Sequence, residues 1–370
     1  MIFAMADLHI GAALRKRDPE FRDDSIQTLD KATDRMIEMA GGRPFALLLP
    51  GDVFDKDHVS GDSIQAFRKF VDRIEEAGGE VHAIEGNHDR QPNGTPLTAA
   101  LGSRVLSHER PTIVQGLRVC GVSYMPPERL REILPIIPDC DILLLHAPMK
   151  SLLGFESASG LLESEIPIGA RCTIIGDVHV HRTLRTPLGA PIHSPGPLHP
   201  CKIDEPFDTG FLVIDPSSLE ATLEPVVYRE LVQLNLSEAE SDEEIESMLT
   251  ETIENLPDVG SGVKPVLHVR ATHLQEKDIA RIRRRVDGLA VVIETVGSKN
   301  ALTGLRPRAS TLERALTWQE ALDMVVDAEN DPEVHSLINT LLSASDPELA
   351  LTDWHKGLEE RCRTGKQLLA

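Results

Sequence analysis

Five apolar runs in the first half of the chain each stop at residues suited to holding metal ions. Ala4-Met5-Ala6 leads into Asp7-Leu8-His9, and Leu47-Leu48-Leu49-Pro50 into Gly51-Asp52-Val53-Phe54-Asp55. The run at 81–84 leads into Glu85-Gly86-Asn87-His88-Asp89. The run at 142–145 ends in His146, and Thr173-Ile174-Ile175 in Gly176-Asp177-Val178-His179-Val180-His181. Carboxylate and imidazole donors without thiolate suit borderline-hard divalent ions such as Mn²⁺, Fe²⁺ or Zn²⁺. About seven donors exceed what one such ion takes from protein, so two ions sharing a bridging carboxylate are the economical reading. Two ions about 3.5–4 Å apart can activate a water and stabilise both the attacking and leaving oxygens of a phosphoryl displacement. One such motif alone is commonly a turn or a cap, and a lone His146 a structural histidine. The ordered series carries the argument.

The elements that must position these groups are legible as well. Helical patterns at 25–40 and 63–77, closed by Gly41-Gly42 and Gly78-Gly79, alternate with strands predicted at 2–6, 46–50 and 81–84. That alternation is the α/β signature, and in an open α/β sheet ligands bind outside the carboxyl ends of the strands. Further strands are predicted at 119–122, 142–145, 173–175 and 211–214 with few helices between them, which implies a mixed sheet or two sheets packed as a sandwich. After a break near 226–236, an acidic amphipathic helix at 237–256, strands at 266–271 and 290–296 and a helix at 276–286 form a small α/β unit. Apolar stripes from 311 to 370 read as helices.

Composition narrows the function. The net charge is −21, from 38 basic and 59 acidic residues, which argues against binding nucleic acid by bulk attraction. Contact with a polyanion must then use local patches, bound cations or a partner. The dense basic run Arg281-Ile282-Arg283-Arg284-Arg285 is either a solvated helix face or a phosphate contact. Ten of the fourteen histidines precede residue 226, where the metal-ligand motifs lie. No apolar run is long enough for a membrane span, and Met1 opens on no basic leader, so a cytoplasmic protein without membrane association is expected. Five scattered cysteines, never in a CxxC pair, read as reduced thiols with neither a disulfide frame nor a cysteine-ligated zinc.

The motifs "ADLHIG" at 6–11, "GDVFD" at 51–55, "GNHD" at 86–89, "LLLHAP" at 143–148 and "IGDVH" at 175–179 resemble the calcineurin-like metallophosphoesterase superfamily. Within it, "GDVFD" with its second Asp and "SPGPLHPCKIDEPFDTGFLVID" at 194–215 are similar to SbcD-type nucleases, which work beside an SMC-like ATPase. The resemblance implies a four-layer αββα phosphoesterase domain at 1–225, a small α/β DNA-capping domain at 226–300 and ATPase-binding helices at 301–370. It places Asp7 and His9 on a first metal, Asp52 as the bridge, and Asn87 and His146 on a second. His88 becomes the proton donor to the leaving oxygen, and Asp89 the partner that holds the His88 imidazole. Asp55 reads as a structural carboxylate nearby. The usual last motif is GHxH, yet Asp177 follows Gly176 here. Without a gap, Asp177 takes the second metal and His179 the first; shifted by two residues, His179 and His181 take those places. The gap-free scheme keeps the distance from strand end to ligand and is preferred.

The resemblance thus implies a Mn²⁺-dependent DNA exo- and endonuclease with two divalent ions, acting in DNA repair or recombination. Its partners would be DNA ends or single strands, an SbcC-type SMC-like ATPase and a second copy of the chain, with Arg281, Arg283, Arg284 and Arg285 as DNA contacts. No Walker A motif is present, so any ATP dependence must come from that ATPase. The rival readings are a phosphodiesterase for a small nucleotide or lipid, and a scaffold that chiefly binds ATPase and DNA.

Overall fold

Strand β2 (Phe45–Pro50) is buried along its whole length and explains the layering. Phe45, Leu47 and Leu49 point into one apolar cluster, and Ala46 and Leu48 into another, as a two-residue period requires. The computed structural model describes residues 1–13, 21–55, 59–89, 97–152, 160–202, 205, 209–236, 241–255, 263–271, 282, 284–285 and 290–295.

In chain order the first elements are β1 (Ile2–Ala4), α1 (Asp24–Ala40), β2, α2 (Gly61–Glu76), β3 (Gly79–Ile84), α3 (Leu97–Ala100) and β4 (Arg104–Val105). The second run is β5 (Thr112–Val114), β6 (Leu117–Val122), α4 (Pro127–Ile133), β7 (Ile142–His146), β8 (Thr173–Gly176), β9 (Arg182–Arg185) and β10 (Pro191–Ser194). Strands β11 (Gly210–Ile214) and β12 (Ala221–Pro225) return to the first sheet. The two sheets have the orders β12-β11-β1-β2-β3-β4 and β5-β6-β7-β8-β10-β9. Within them β1, β2, β3 and β4 run parallel, as do β6, β7, β8 and β10.

Ile2, Ala4 and Leu48 from one sheet share a cluster with Ile142, Leu144 and Ile174 from the other, so the sheets pack face to face. The outer face of the first is covered by α1, through Leu29, Ala32 and Met36, and by α2, through Phe67, Phe70 and Ile74. Leu130, Ile133 and Leu134 cover the outer face of the second. Helix, sheet, sheet, helix is the four-layer αββα sandwich expected. Helix α1 ends at Gly41, whose left-handed φ of 57° lets its N–H return to the Ile37 carbonyl.

A third sheet, β13-β14-β15, follows, from β13 (Leu231–Asn235), β14 (Val266–Ala271) and β15 (Ala290–Thr295). Helix α5 (Asp242–Glu254) precedes β14 and starts from Ser241, whose side chain accepts the Glu244 N–H. By contact density one compact unit comprises 1–235, 239–269 and 279–293, and the other 236–238, 270–278 and 294–370. The expected tail helices lie outside the described residues, as does most of the helix expected at 276–286.

Candidate metal centre

The five motifs stand at the carboxyl ends of β1, β2, β3, β7 and β8, and parallel pairing puts those ends on one edge. Four residues there have left-handed backbone: Asp7 (φ 49°), His9 (40°), Asp52 (50°) and Asp177 (83°). They are four of the six non-glycine residues with positive φ among those described. Each such conformation costs on the order of 1–3 kcal/mol and persists only where surrounding bonds enforce it. Here the His9 N–H donates to the Asp52 carbonyl at 3.1 Å, and the Asp177 N–H to Asp7 Oδ1 at 2.9 Å. Gly86 has no substitute, because a Cβ there would overlap the Asp52 carboxylate.

Two groups of acceptors converge, one on each side of Asp52. On one side, His146 Nδ1 lies 2.8 Å from the Pro50 carbonyl, so that nitrogen is the N–H donor. Burial lowers the affinity of the His146 ring for a second proton. Its Nε2 is therefore a bare lone pair, yet it faces Asn87 Oδ1 at 2.9 Å, Asp52 Oδ1 at 3.5 Å and Asp177 Oδ1 at 3.8 Å. Acceptors facing acceptors need a cation between them.

On the other side, His179 Nδ1–H donates to Glu205 Oε1 at 2.8 Å, which turns His179 Nε2 toward His9 Nε2 at 3.1 Å. Asp52 Oδ2 stands 3.7 Å from the same His9 nitrogen. Asp7 Oδ2 is fully buried with no hydrogen-bond partner among the described residues, a costly state for a carboxylate unless a cation completes it. Burial, reinforced by the charges of Asp52 and Asp177, pushes the Asp7 carboxyl up to about 8. Burial alone would depress His179, but the bond to Glu205 and the Asp7 and Asp52 charges outweigh it and raise that ring to about 8. Asp7, His9, Asp52, Asn87, His146, Asp177 and His179 are thus together, and their donor set fits two divalent ions.

His88 lies beside this cluster, with its ring 5.0 Å from that of His9 and its N–H on Asp52 Oδ1 at 3.0 Å. The expectation that Asp89 holds the His88 imidazole is corrected. His88 Nδ1 is 2.7 Å from the Asp55 carbonyl, while the Asp89 carboxylate accepts the backbone N–H groups of Val53, Phe54 and Gly86. Asp89 is a buried staple joining the loops after β2 and β3, and Asp55 acts through its main chain. Among the described residues no bond joins His181 to the cluster, and its buried Nδ1 has no partner there. Arg284 and Arg285 are exposed and outside the cluster; Arg285 lies 3.9 Å from Glu246, and Arg281 and Arg283 are outside the described residues.

Sequence reasoning missed Glu205, whose carboxylate also accepts the N–H groups of Cys201 at 2.7 Å and Lys202 at 3.2 Å. It missed the carbonyls of Pro50 and Asp55 because main-chain atoms leave no mark in residue type. His193 is a satisfied structural residue, bonded to Thr183 and the Leu219 carbonyl.

Residues 1–163 match the calcineurin-like phosphoesterase family. The chain carries a calcineurin-like metallophosphoesterase domain. The chain is 24% identical over 230 residues to the DNA double-strand break repair protein Mre11 of Aeropyrum pernix, covering 55% of this chain and 54% of that protein. The Mre11 of Nanoarchaeum equitans is 34% identical over 193 residues, 43% of this chain and 52% of that protein. The Mre11 of Saccharolobus solfataricus is 22% identical over 295 residues, 72% and 74% of the two chains. The chain spans about half the length of the first two of these relatives. The metallophosphoesterase domain therefore has homologues among DNA-repair proteins, and its sheet edge holds groups of His, Asp and Cys side chains that could bind a metal ion.

Proposed function

We propose that this chain is a two-metal DNA phosphodiesterase that processes DNA ends in repair or recombination, in the manner of SbcD-type nucleases. The observation that carries the reading is the convergence of acceptors on both sides of one carboxylate, Asp52. Asp7, His9 and His179 would hold one divalent ion, and Asn87, His146 and Asp177 the other, with Asp52 shared. The proximity of Asp177 Oδ1 to His146 Nε2, 3.8 Å, supports the gap-free reading over His181. Mn²⁺ matches these oxygen and nitrogen donors. Bound divalent ions would supply an activated water and offset charge on the phosphate.

The protein's own groups do the rest. Asp52 and Asp7 would hold the cations, and Pro50 and Glu205 keep the His146 and His179 lone pairs aimed inward. The Asp55 carbonyl holds His88 Nδ1–H, leaving Nε2 to protonate the departing oxygen from a half-buried ring that substrate can reach. The small α/β unit at 226–300, with Arg281, Arg283, Arg284 and Arg285, would cap DNA. The segment 301–370 would bind an SbcC-type SMC-like ATPase, and two copies would pair as a homodimer. The four described cysteines are free thiols, consistent with a cytoplasmic protein. Among the described residues no helix is long and apolar enough to cross a membrane.

The test is digestion of end-labelled duplex and single-stranded DNA by the purified chain, with and without Mn²⁺, beside a small chromogenic phosphodiester. Mn²⁺-dependent shortening of DNA is expected. Cleavage of the small diester alone would overturn the DNA assignment.

A further inference from the structure

Spacing along the chain excludes a CxxC zinc motif, yet the fold brings one cysteine to the metal centre. The ligating atoms of His9, His179 and Cys201 all lie within 4.8 Å of one another. This approach is built by a side chain that serves two neighbours at once. One oxygen of Glu205 takes the His179 Nδ1–H, and the other takes the Cys201 N–H at 2.7 Å. A single carboxylate therefore aims the His179 lone pair and fixes the backbone of Cys201 beside it. Glu205 is itself only 7% exposed, so the brace is part of the packed structure. Among the described residues the Cys201 thiol has one weak partner, the His199 carbonyl at 3.7 Å, which coordination would replace at little cost.

We propose that Cys201 supplies a thiolate donor to the first metal position, making the two positions chemically unlike. The inference rests on the two-metal reading above. A sulfur donor selects softer ions such as Zn²⁺, whereas the Asp52, Asn87, His146 and Asp177 side keeps the oxygen and nitrogen character that suits Mn²⁺. Coordination releases the thiol proton to solvent. The purified chain would then hold one tightly kept soft ion and one exchangeable ion.

The experiment strips the full chain with a chelator, reloads it with Co²⁺, counts bound ions and records the near-ultraviolet absorption. A sulfur-to-cobalt charge-transfer band is expected in the wild type, and its loss in Cys201→Ser with both ions still bound. Competition of Zn²⁺ against Mn²⁺ gives a second readout. Removing outer partners of metal ligands costs roughly 10–100-fold in affinity, and losing a direct donor should shift the first position's Zn²⁺ preference by no less. Two bound Co²⁺ ions without the band in the wild type would overturn the role of Cys201 and leave the two-metal reading standing. Failure to bind Co²⁺ at all would remove both.

Discussion

At the residue scale, Asp52 is the side chain on which the centre turns, because its two oxygens face opposite groups of donors. Asp52→Ala should abolish cleavage and lower the bound metal from about two ions toward one or none, as read by metal analysis of the purified protein. Two ions retained with normal activity would sink the shared-carboxylate scheme. His88 brings a ring nitrogen within 4.8 Å of the ligating atoms of His9 and Asp52, but each side of Asp52 has its donors without it, so His88→Ala should keep both metals and DNA binding. Cleavage should fall by on the order of 10²–10⁴-fold, the scale of general acid–base catalysis, and by less on a substrate with a better leaving group. Loss of metal in that variant would make His88 a ligand instead. Asp177 and His181 divide the remaining ambiguity of the sequence. Asp177 sits against His146, so Asp177→Ala should deplete the second ion while His181→Ala leaves two. The reverse pattern of metal counts would restore the shifted alignment.

At the element scale, the strands that hold the centre were legible because each is an apolar run that stops abruptly at a ligand-type residue. The helices α1 and α2 were legible from one-faced apolar stripes and terminal glycines. Strands β9, β12 and β13 were not, since they are polar and partly exposed and lack any apolar run. The loop after β10 was the largest loss: Glu205 and Cys201 reach the centre only because the fold carries that loop back to β1 and β8. The same loop contributes His199, which lines a cavity of about 80 Å³ beside the Asp24–Arg229 ion pair. Burial drives the His199 ring down to about 4 from its ordinary 6.5. The unfolded chain therefore takes up a proton below pH 6.5 that the folded chain refuses until about pH 4. Stability from this group is complete above pH 6.5 and is lost as pH falls from there toward 4. The full loss is on the order of 3 kcal/mol. Urea unfolding at pH 7 and 5 should show His199→Asn flattening this part of the acid limb. Equal acid sensitivity in the variant would assign the loss to other groups.

At the scale of the whole molecule, the proposed reading sets a chain of net charge −21 beside a polyanion, so its attraction to DNA would have to be local. Two dications at the sheet edge would reverse the field there, and the basic run at 281–285 would add a second local patch. The chemistry needs only the elements before Val226, since the described donors all lie between Asp7 and Glu205. Yet the sixty residues after Ser310 keep apolar stripes at helical spacing: Leu312, Ala315, Leu316, Leu322, Val325 and Val326, then Val334, Leu337, Ile338, Leu341 and Leu342. Such stripes must be covered, because several exposed leucines on one face invite association. A segment of that length builds little core of its own, so a partner is the economical cover. A chain ending at Ser310 should keep both ions and cleave single-stranded DNA at nearly the full rate, while binding to an SbcC-type ATPase in a pull-down is lost. If the shortened chain instead precipitates or sheds its metals, the stripes belong to the core that supports the centre, and the partner hypothesis loses its support from the sequence.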